Sequence, residues 1–157
     1  PRGAGPSRAE SRSTPLAPGA EPAAWTSPVG DAGAGDSGAA DAGATAVFVG
    51  TTRDFNGPHA VREMTLEHYP GMTERYLERI AGEATERWAL LDVLVVHRVG
   101  QLLPGDPIVL VAARSAHRGP ALDACRYLIE ELKHRAPLWK KEVTPGGDRW
   151  VESNTPG

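Results

Sequence analysis

The sequence predicts an α+β fold: a mainly antiparallel sheet with helices packed on one face, preceded by a disordered leader rich in alanine, glycine and proline. Three observations predict it. Short β-branched or alternating stretches are interleaved with two long amphipathic ones in the order strand, strand, helix, strand, strand, helix. The second pair of strands is joined by a tight turn, so its members pair antiparallel. The 157 residues include 18 glycines and 14 prolines, of which 8 and 6 fall in residues 1–43.

That leader contains almost no β-branched or aromatic side chain besides Trp25. Ordering a residue costs about 1–2 kcal/mol of backbone entropy. A tract such as Gly30-Asp31-Ala32-Gly33-Ala34-Gly35-Asp36 has little apolar area to offset it. Residues 1–43 are therefore expected to be disordered, with Leu16 and Trp25 as the side chains able to anchor them. Arg2, Arg8 and Arg12 among serines hint at a transit peptide, a signal diluted by Glu10, Glu21 and three aspartates.

The folded domain is expected over 44–152, followed by a short tail, 153–157. Ala44 to Gly50 is a short apolar, β-branched run ending on glycine, the pattern of a buried strand. Between Val61 and Tyr69, Met64, Leu66 and His68 alternate with Glu63, Thr65 and Glu67, as in a half-buried strand. Pro70-Gly71 breaks it. Met72, Tyr76, Ile80, Ala84 and Trp88 recur every fourth residue, predicting an amphipathic helix over 72–88. Val93–Val96 and Ile108–Val111 are the next strands, joined through Pro104-Gly105-Asp106, where proline fixes φ and glycine permits φ > 0. A second helix starts near Pro120 with an apolar stripe of Leu122, Cys125, Leu128, Ile129 and Leu132, and Pro137 ends it.

Composition excludes several function classes. With 17 basic and 20 acidic residues, the net charge of −3 argues against electrostatically driven nucleic-acid binding. A single cysteine rules out a disulfide framework or a multi-cysteine metal cage and fits a reducing, cytoplasmic setting. No run of about 18 apolar residues is present to span a membrane. No metal and no bound cofactor are expected, since His68 and His97 lack ligand spacing.

Charge is nevertheless uneven. Arg114 to Lys141 carries seven basic residues against three acidic ones, whereas 44–113 carries six against nine. His117-Arg118 stands just before a helix whose N-terminal amides attract phosphate or carboxylate; the plain alternative is an ordinary loop pair. Lys133 lies at the far end of that helix, about 20 Å from Arg118 at 1.5 Å per residue, too far for both to clamp one phosphate. It reads equally as a solvated lysine favourable to the helix dipole. Lys140-Lys141 follows Pro137-Leu138-Trp139 as loop lysines beside a large aromatic, where desolvation lowers an amine's pKa. Arg53, after Thr51 and Thr52, either shares an anion with the backbone or pairs with Asp54. Cys125, in the apolar stripe, reads as a core thiol.

Five blocks taken together carry a specific likeness: Phe48-Val49-Gly50-Thr51-Thr52-Arg53-Asp54, Leu66-Glu67-His68-Tyr69-Pro70-Gly71-Met72, His97-Arg98-Val99-Gly100, Ser115-Ala116-His117-Arg118, and Ala136-Pro137-Leu138-Trp139-Lys140-Lys141-Glu142. In this order, from about Gly43 to Val151, the chain resembles the MoaE family, the large catalytic subunits of molybdopterin synthase. Thr52 stands where the family more often has valine, and the leader replaces a more structured segment. The resemblance implies an α/β hammerhead-like fold. It also implies sulfurtransferase activity in molybdenum cofactor biosynthesis, in which two sulfurs pass from the C-terminal Gly-Gly thiocarboxylate of a small ubiquitin-like carrier subunit to cyclic pyranopterin monophosphate. It assigns Lys133 and Lys140 as catalytic, and Thr51, Thr52, Arg53, His117, Arg118, Lys133, Lys140, Lys141 and Glu142 as substrate-binding. A homodimer core with a carrier at each end, a heterotetramer, is implied as the assembly. An enzyme supplied with sulfur by a partner's thiocarboxylate needs no persulfide cysteine, consistent with a buried Cys125.

Two other classes compete. An acylphosphatase-like phosphatase also uses an arginine in a glycine-flanked loop on an α+β sandwich, but has no task for His117-Arg118 or the lysines; benzoyl phosphate hydrolysis discriminates it. A non-catalytic anion-binding module predicts lysines that titrate normally.

Overall fold

A computed structural model describes residues 8–15, 41–56 and 59–151. Its strands are β1 (Arg8–Pro15), β2 (Ala44–Thr51), β3 (Phe55–Asn56), β4 (His59–Ala60), β5 (Glu63–His68), β6 (Asp92–Leu102), β7 (Pro107–Ser115), β8 (Leu138–Thr144) and β9 (Gly147–Val151). Its helices are α1 (Met72–Trp88) and α2 (Arg118–His134). The main sheet runs β2-β7-β6-β5-β8-β9, antiparallel throughout, with β1 added parallel to β6. The α+β architecture follows the sequence pattern.

The core forms because two periodicities meet. Val93 and Val95 of β6 pair with Ala113 and Val111 of β7 and share a face. Against it pack Leu77, Ile80, Ala81 and Ala84 of α1 and Ala124, Cys125, Leu128 and Leu132 of α2, all buried. A smaller cluster, Met64, Leu66 and Leu102, lies where β5 meets the end of β6. Gly100, with φ of +85°, sits where β6 passes from pairing with β7 to pairing with β5. The helix ends are built locally. The Gly71 amide donates to the Glu74 carboxylate at the start of α1, half of a capping box. At its other end Ala89 takes a left-handed conformation and returns its N–H to Thr85 O.

Several expectations are corrected. Among the described residues Ala44–Gly50 is an edge strand, paired with β7 alone, and Val47, Phe48 and Val49 are more than a third exposed. A contiguous apolar run does not distinguish a strand buried on both faces from an edge strand covered on one. Leu122 is 60% exposed, so the stripe of α2 is narrower than its leucines suggest. That helix stops at His134, three residues before Pro137. Lys140 and Lys141 lie within a strand, and β8 and β9 form a hairpin closed by Pro145-Gly146, an element that apolar runs alone do not reveal. In the leader, Arg8–Pro15 runs as a strand along β6, because backbone pairing needs no apolar side chains. The remainder of the leader, with Leu16 and Trp25, and the tail from residue 152 lie outside the described residues.

Gly43 shows how closely the start of β2 is seated. Its N–H donates to Ser115 O at 3.1 Å, and a Cβ there would fall 2.1 Å from Ala116 O, a backbone atom with little freedom to yield. Gly43→Ala is therefore expected to destabilise the domain by about 1–3 kcal/mol, the usual cost of overpacking. Denaturant unfolding measures this; an unchanged midpoint would contradict the close approach.

Candidate functional site

The chemistry-bearing residues converge because three elements end at one place. A cavity of about 680 Å³ opens where the end of β2, the C-terminal turn of α2 and strand β8 meet, over the apolar side chains of β5. Its cations are Arg53, Lys133 and Lys140. Its floor includes Met64 and Leu66, and Trp139 and Trp150 stand at its rim, each about half exposed.

Local structure explains each placement. Strand alternation puts Lys140 and Glu142 on one face of β8, opposite Leu66 and Met64 in the β5 register. The same alternation turns Lys141 to the other face, where its Nζ pairs with Asp148 at 2.7 Å. Lys141, expected to bind substrate, is absent from the cavity lining, because adjacent strand residues cannot share a face. Lys133 projects from the last turn of α2, which is tied to α1: Tyr76 donates its hydroxyl to Glu131 at 2.8 Å, and Arg135 bonds the same carboxylate at 2.7 Å. Burial and the adjoining carboxylate both raise the Tyr76 pKa, keeping the phenol protonated as the donor in that link.

At the end of β2 a register shift at Gly50/Thr51 releases the chain from β7. A Cβ on Gly50 would lie 2.7 Å from a Val109 methyl. Thr52 is buried and faces inward to the 104–106 turn. It exchanges backbone hydrogen bonds with Asp106 and Gly105 at 2.9 Å, and its hydroxyl donates to Leu103 O. That hydroxyl is committed to holding the loop, which leaves Arg53 exposed at the cavity.

His117 and Arg118 lie elsewhere. They border a separate shallow depression at the N-terminus of α2, with Gly43, Gly119 and Pro120. The 17-residue helix that Arg118 begins ends one residue past Lys133, so the two cations are a helix length apart. On one chain the structure thus gathers Thr51, Thr52, Arg53, Lys133, Lys140 and Glu142, and it separates His117, Arg118 and Lys141 from them.

Electrostatics distinguish Lys140 from a surface lysine. Burial lowers its pKa first, and the positive charges of Lys133 and Arg53 push the same way, against the raising influence of Glu142. An amine so placed is more available in neutral form than an exposed one. Glu142 is itself buried and receives Arg149 Nη2 at 3.0 Å and Nε at 3.2 Å. His97 also lines the cavity. Its Nδ1–H donates to Arg98 O at 2.8 Å, which fixes the neutral tautomer. Neither Arg149 nor the cavity role of His97 and Trp150 is legible as a motif; the Pro145-Gly146-Gly147 turn signal is what would have exposed the hairpin. Cys125 is buried in the core with its pKa raised by burial, a poor nucleophile. Among the described residues there is no group of three His, Cys, Asp or Glu able to hold a metal ion, and no helix long and apolar enough to cross a membrane.

Comparison with known proteins places the chain among sequences and structures of one family. The family model described as MoaE protein matches residues 27–135. A molybdopterin synthase catalytic subunit of Ralstonia nicotianae is 56% identical over 110 residues, 70% of this chain and 62% of that protein. The Pseudomonas aeruginosa protein of the same name is 56% identical over 109 residues, 69% of this chain and 73% of its own. The chain thus spans less than two thirds of the first relative's length. Among solved structures, the molybdopterin biosynthesis MoaE protein from Burkholderia ambifaria superposes with a TM-score of 0.68 at 41% identity, covering 96% of this chain and 92% of that one.

The buried His97 makes stability depend on pH. Desolvation pushes its pKa down to about 4, whereas an unfolded histidine titrates near 6.5. Between those values the unfolded chain takes up a proton that the folded chain refuses, so stability falls as the pH falls from about 6.5 to 4. The full loss is about 3 kcal/mol. His97→Gln, neutral throughout and able to donate to the same carbonyl, is expected to flatten that decline in urea midpoints measured from pH 7 to pH 4. A decline equal to wild type would refute it.

Proposed function

The chain belongs to the MoaE family, and from that premise we propose that it is the catalytic subunit of a molybdopterin synthase, working in the cytoplasm. In this reading it is a sulfurtransferase that moves two sulfurs from the C-terminal thiocarboxylate of a small ubiquitin-like carrier subunit to cyclic pyranopterin monophosphate. The observation that carries the proposal is the meeting of Arg53, Lys133 and Lys140 in one cavity, with Lys140 partly desolvated.

The chemistry fits the substrate. A fused pterin bearing a cyclic phosphate needs an anion partner, and Arg53 offers a planar, permanently charged fork at the cavity mouth. Sulfur addition requires proton movement at the reacting carbons, and a lysine with a lowered pKa serves as acid/base or as a transient covalent anchor. Lys133 and Lys140 are the residues we assign to that work. Sulfur delivered on the carrier's thiocarboxylate requires no cysteine at the site.

His117 and Arg118 have a place in this proposal only in trans. A helix of 17 residues is about 25 Å long, so these residues and Lys133 of one chain do not hold the same small substrate. In a homodimer core, the assembly proposed here with one carrier at each end, the N-terminus of α2 from one copy would serve the cavity of the other.

Lys133→Ala is expected to abolish product in single-turnover assays with thiocarboxylated carrier while leaving carrier binding intact; near-normal yield would remove Lys133 from the mechanism. Arg53→Ala should weaken binding of the cyclic precursor by about 10- to 100-fold, the loss of one or two charge-assisted hydrogen bonds, as read by calorimetric titration. Cys125→Ser should retain sulfur transfer within about tenfold, or 1.4 kcal/mol of barrier. Mixing Arg118→Ala with Lys133→Ala chains should recover part of the activity both lack alone, and no recovery would exclude a site shared between copies.

A further inference from the structure

Arg149 lies directly opposite Glu142 in the β8–β9 register, on the strand paired with the one that carries Lys140. Its guanidinium places two nitrogens, Nη2 at 3.0 Å and Nε at 3.2 Å, on a single oxygen, Glu142 Oε2. The Glu142 side chain is only 3% exposed, while that of Arg149 is 40% exposed. The arginine thus reaches in from the surface to hold a carboxylate that lines the cavity two residues from Lys140, on the same face of β8.

We propose that Arg149 is a positioning residue for this site: by holding the Glu142 carboxylate it keeps that charge from locking Lys140 as an ammonium ion, and so leaves the lysine amine able to exchange protons with a substrate. The inference rests on the reading of Lys140 as a reacting group.

The physical argument concerns where a buried negative charge is neutralised. A carboxylate removed from water must be paired. Arg149 holds the Glu142 carboxylate from the solvent side, and the amine of Lys140 on the same strand feels the same charge. Whichever takes the larger share of the carboxylate's field determines how firmly Lys140 holds its proton. Arg149 is the better partner on geometry, since a guanidinium stays charged at every accessible pH and offers two donors along one edge. Among the described residues, Lys133 from α2 and Arg53 from the end of β2 act on Lys140, His134 of α2 and His97 of β6 share its cavity, and His68 of β5 lies near His97. Both cations oppose protonation of Lys140, and His97 is held neutral. Among the described residues Glu142 is thus the group that favours the protonated form of Lys140, and Arg149 restrains it.

The test is the titration of Lys140 read without catalysis: trace acylation by acetic anhydride across pH, quantified on the Lys140 peptide by mass spectrometry in the full-length protein. Arg149→Gln is expected to raise the Lys140 midpoint by about one pH unit, a tenfold gain in proton affinity, and Arg149→Lys to restore most of the shift. Glu142→Gln should lower the midpoint below wild type, and in that background Arg149→Gln should have no effect, since the arginine acts through the carboxylate. The acidic limb of the sulfur-transfer pH profile should move with the labelling midpoint. An Arg149→Gln protein that is merely less heat-stable, with its Lys140 midpoint unmoved, would overturn the proposal. Should that variant not fold, a Glu142→Gln midpoint that fails to drop would do so instead. Acylation needs no carrier or precursor, so absence of sulfur transfer in the wild-type protein would refute the proposed reaction while leaving the labelling result to stand alone.

Discussion

The pairing of β5 with β8 is the constraint from which the site follows. Leu66 faces Lys140 and Met64 faces Glu142 across that ladder, so the polar face of β8 is set against an apolar floor. A shift of one residue would exchange Lys140 and Glu142 for Lys141 and Val143, or for Trp139 and Lys141, sending both charged side chains to the other side of the sheet. The register is held from both flanks. Met64 and Leu66 are buried with Leu102 on the β6 side, and β9 completes the pairing of β8 on the other. The placement of Lys140 and Glu142 is here a by-product of burying two apolar side chains.

The same burial creates the electrostatic character of the cavity. Three cations gather at a site in a chain of net negative charge, so the cavity is locally more basic than the chain as a whole. Several carboxylates near the site have partners of their own. Asp148 is taken by Lys141, Glu131 by Tyr76 and Arg135, and Glu142 by Arg149. Thr52 shows the same division of labour, since its hydroxyl ties the end of β2 to the 104–106 turn and so fixes the neighbouring arginine.

Much of this was legible in the sequence, for identifiable reasons. Helix α1 was readable to the residue because its fourfold spacing is uninterrupted between Gly71 and Ala89. The β6–β7 hairpin was readable because Pro104-Gly105 fixes a turn and both flanks are β-branched. Burial was harder to read: Ala44–Gly50 is as apolar as a central strand yet lies at the sheet edge, and Leu122 fits the helical period yet faces solvent. The C-terminal hairpin escaped because β8 carries charges on its inward face, Lys140 and Glu142, where a pattern search expects apolar residues. The local rule fails where the chemistry is, as expected when a strand serves a cavity as well as a core. Lys133, Lys140 and Arg53 were identifiable by family likeness, but only the fold separates Lys141 from Lys140 and His117-Arg118 from both.

The open edge at β2 has a consequence for the isolated chain. Val47 and Val49 on one face and Phe48 on the other are exposed apolar side chains on a strand whose outer backbone groups have no ladder partner among the described residues. Such an edge, without a lysine or proline between Ala44 and Thr51 to blunt it, is a template for strand addition. Solubility of this protein is therefore a property of whatever caps that edge: a matching surface would shield it, and a chain left without one would tend toward sheet-to-sheet aggregation at high concentration.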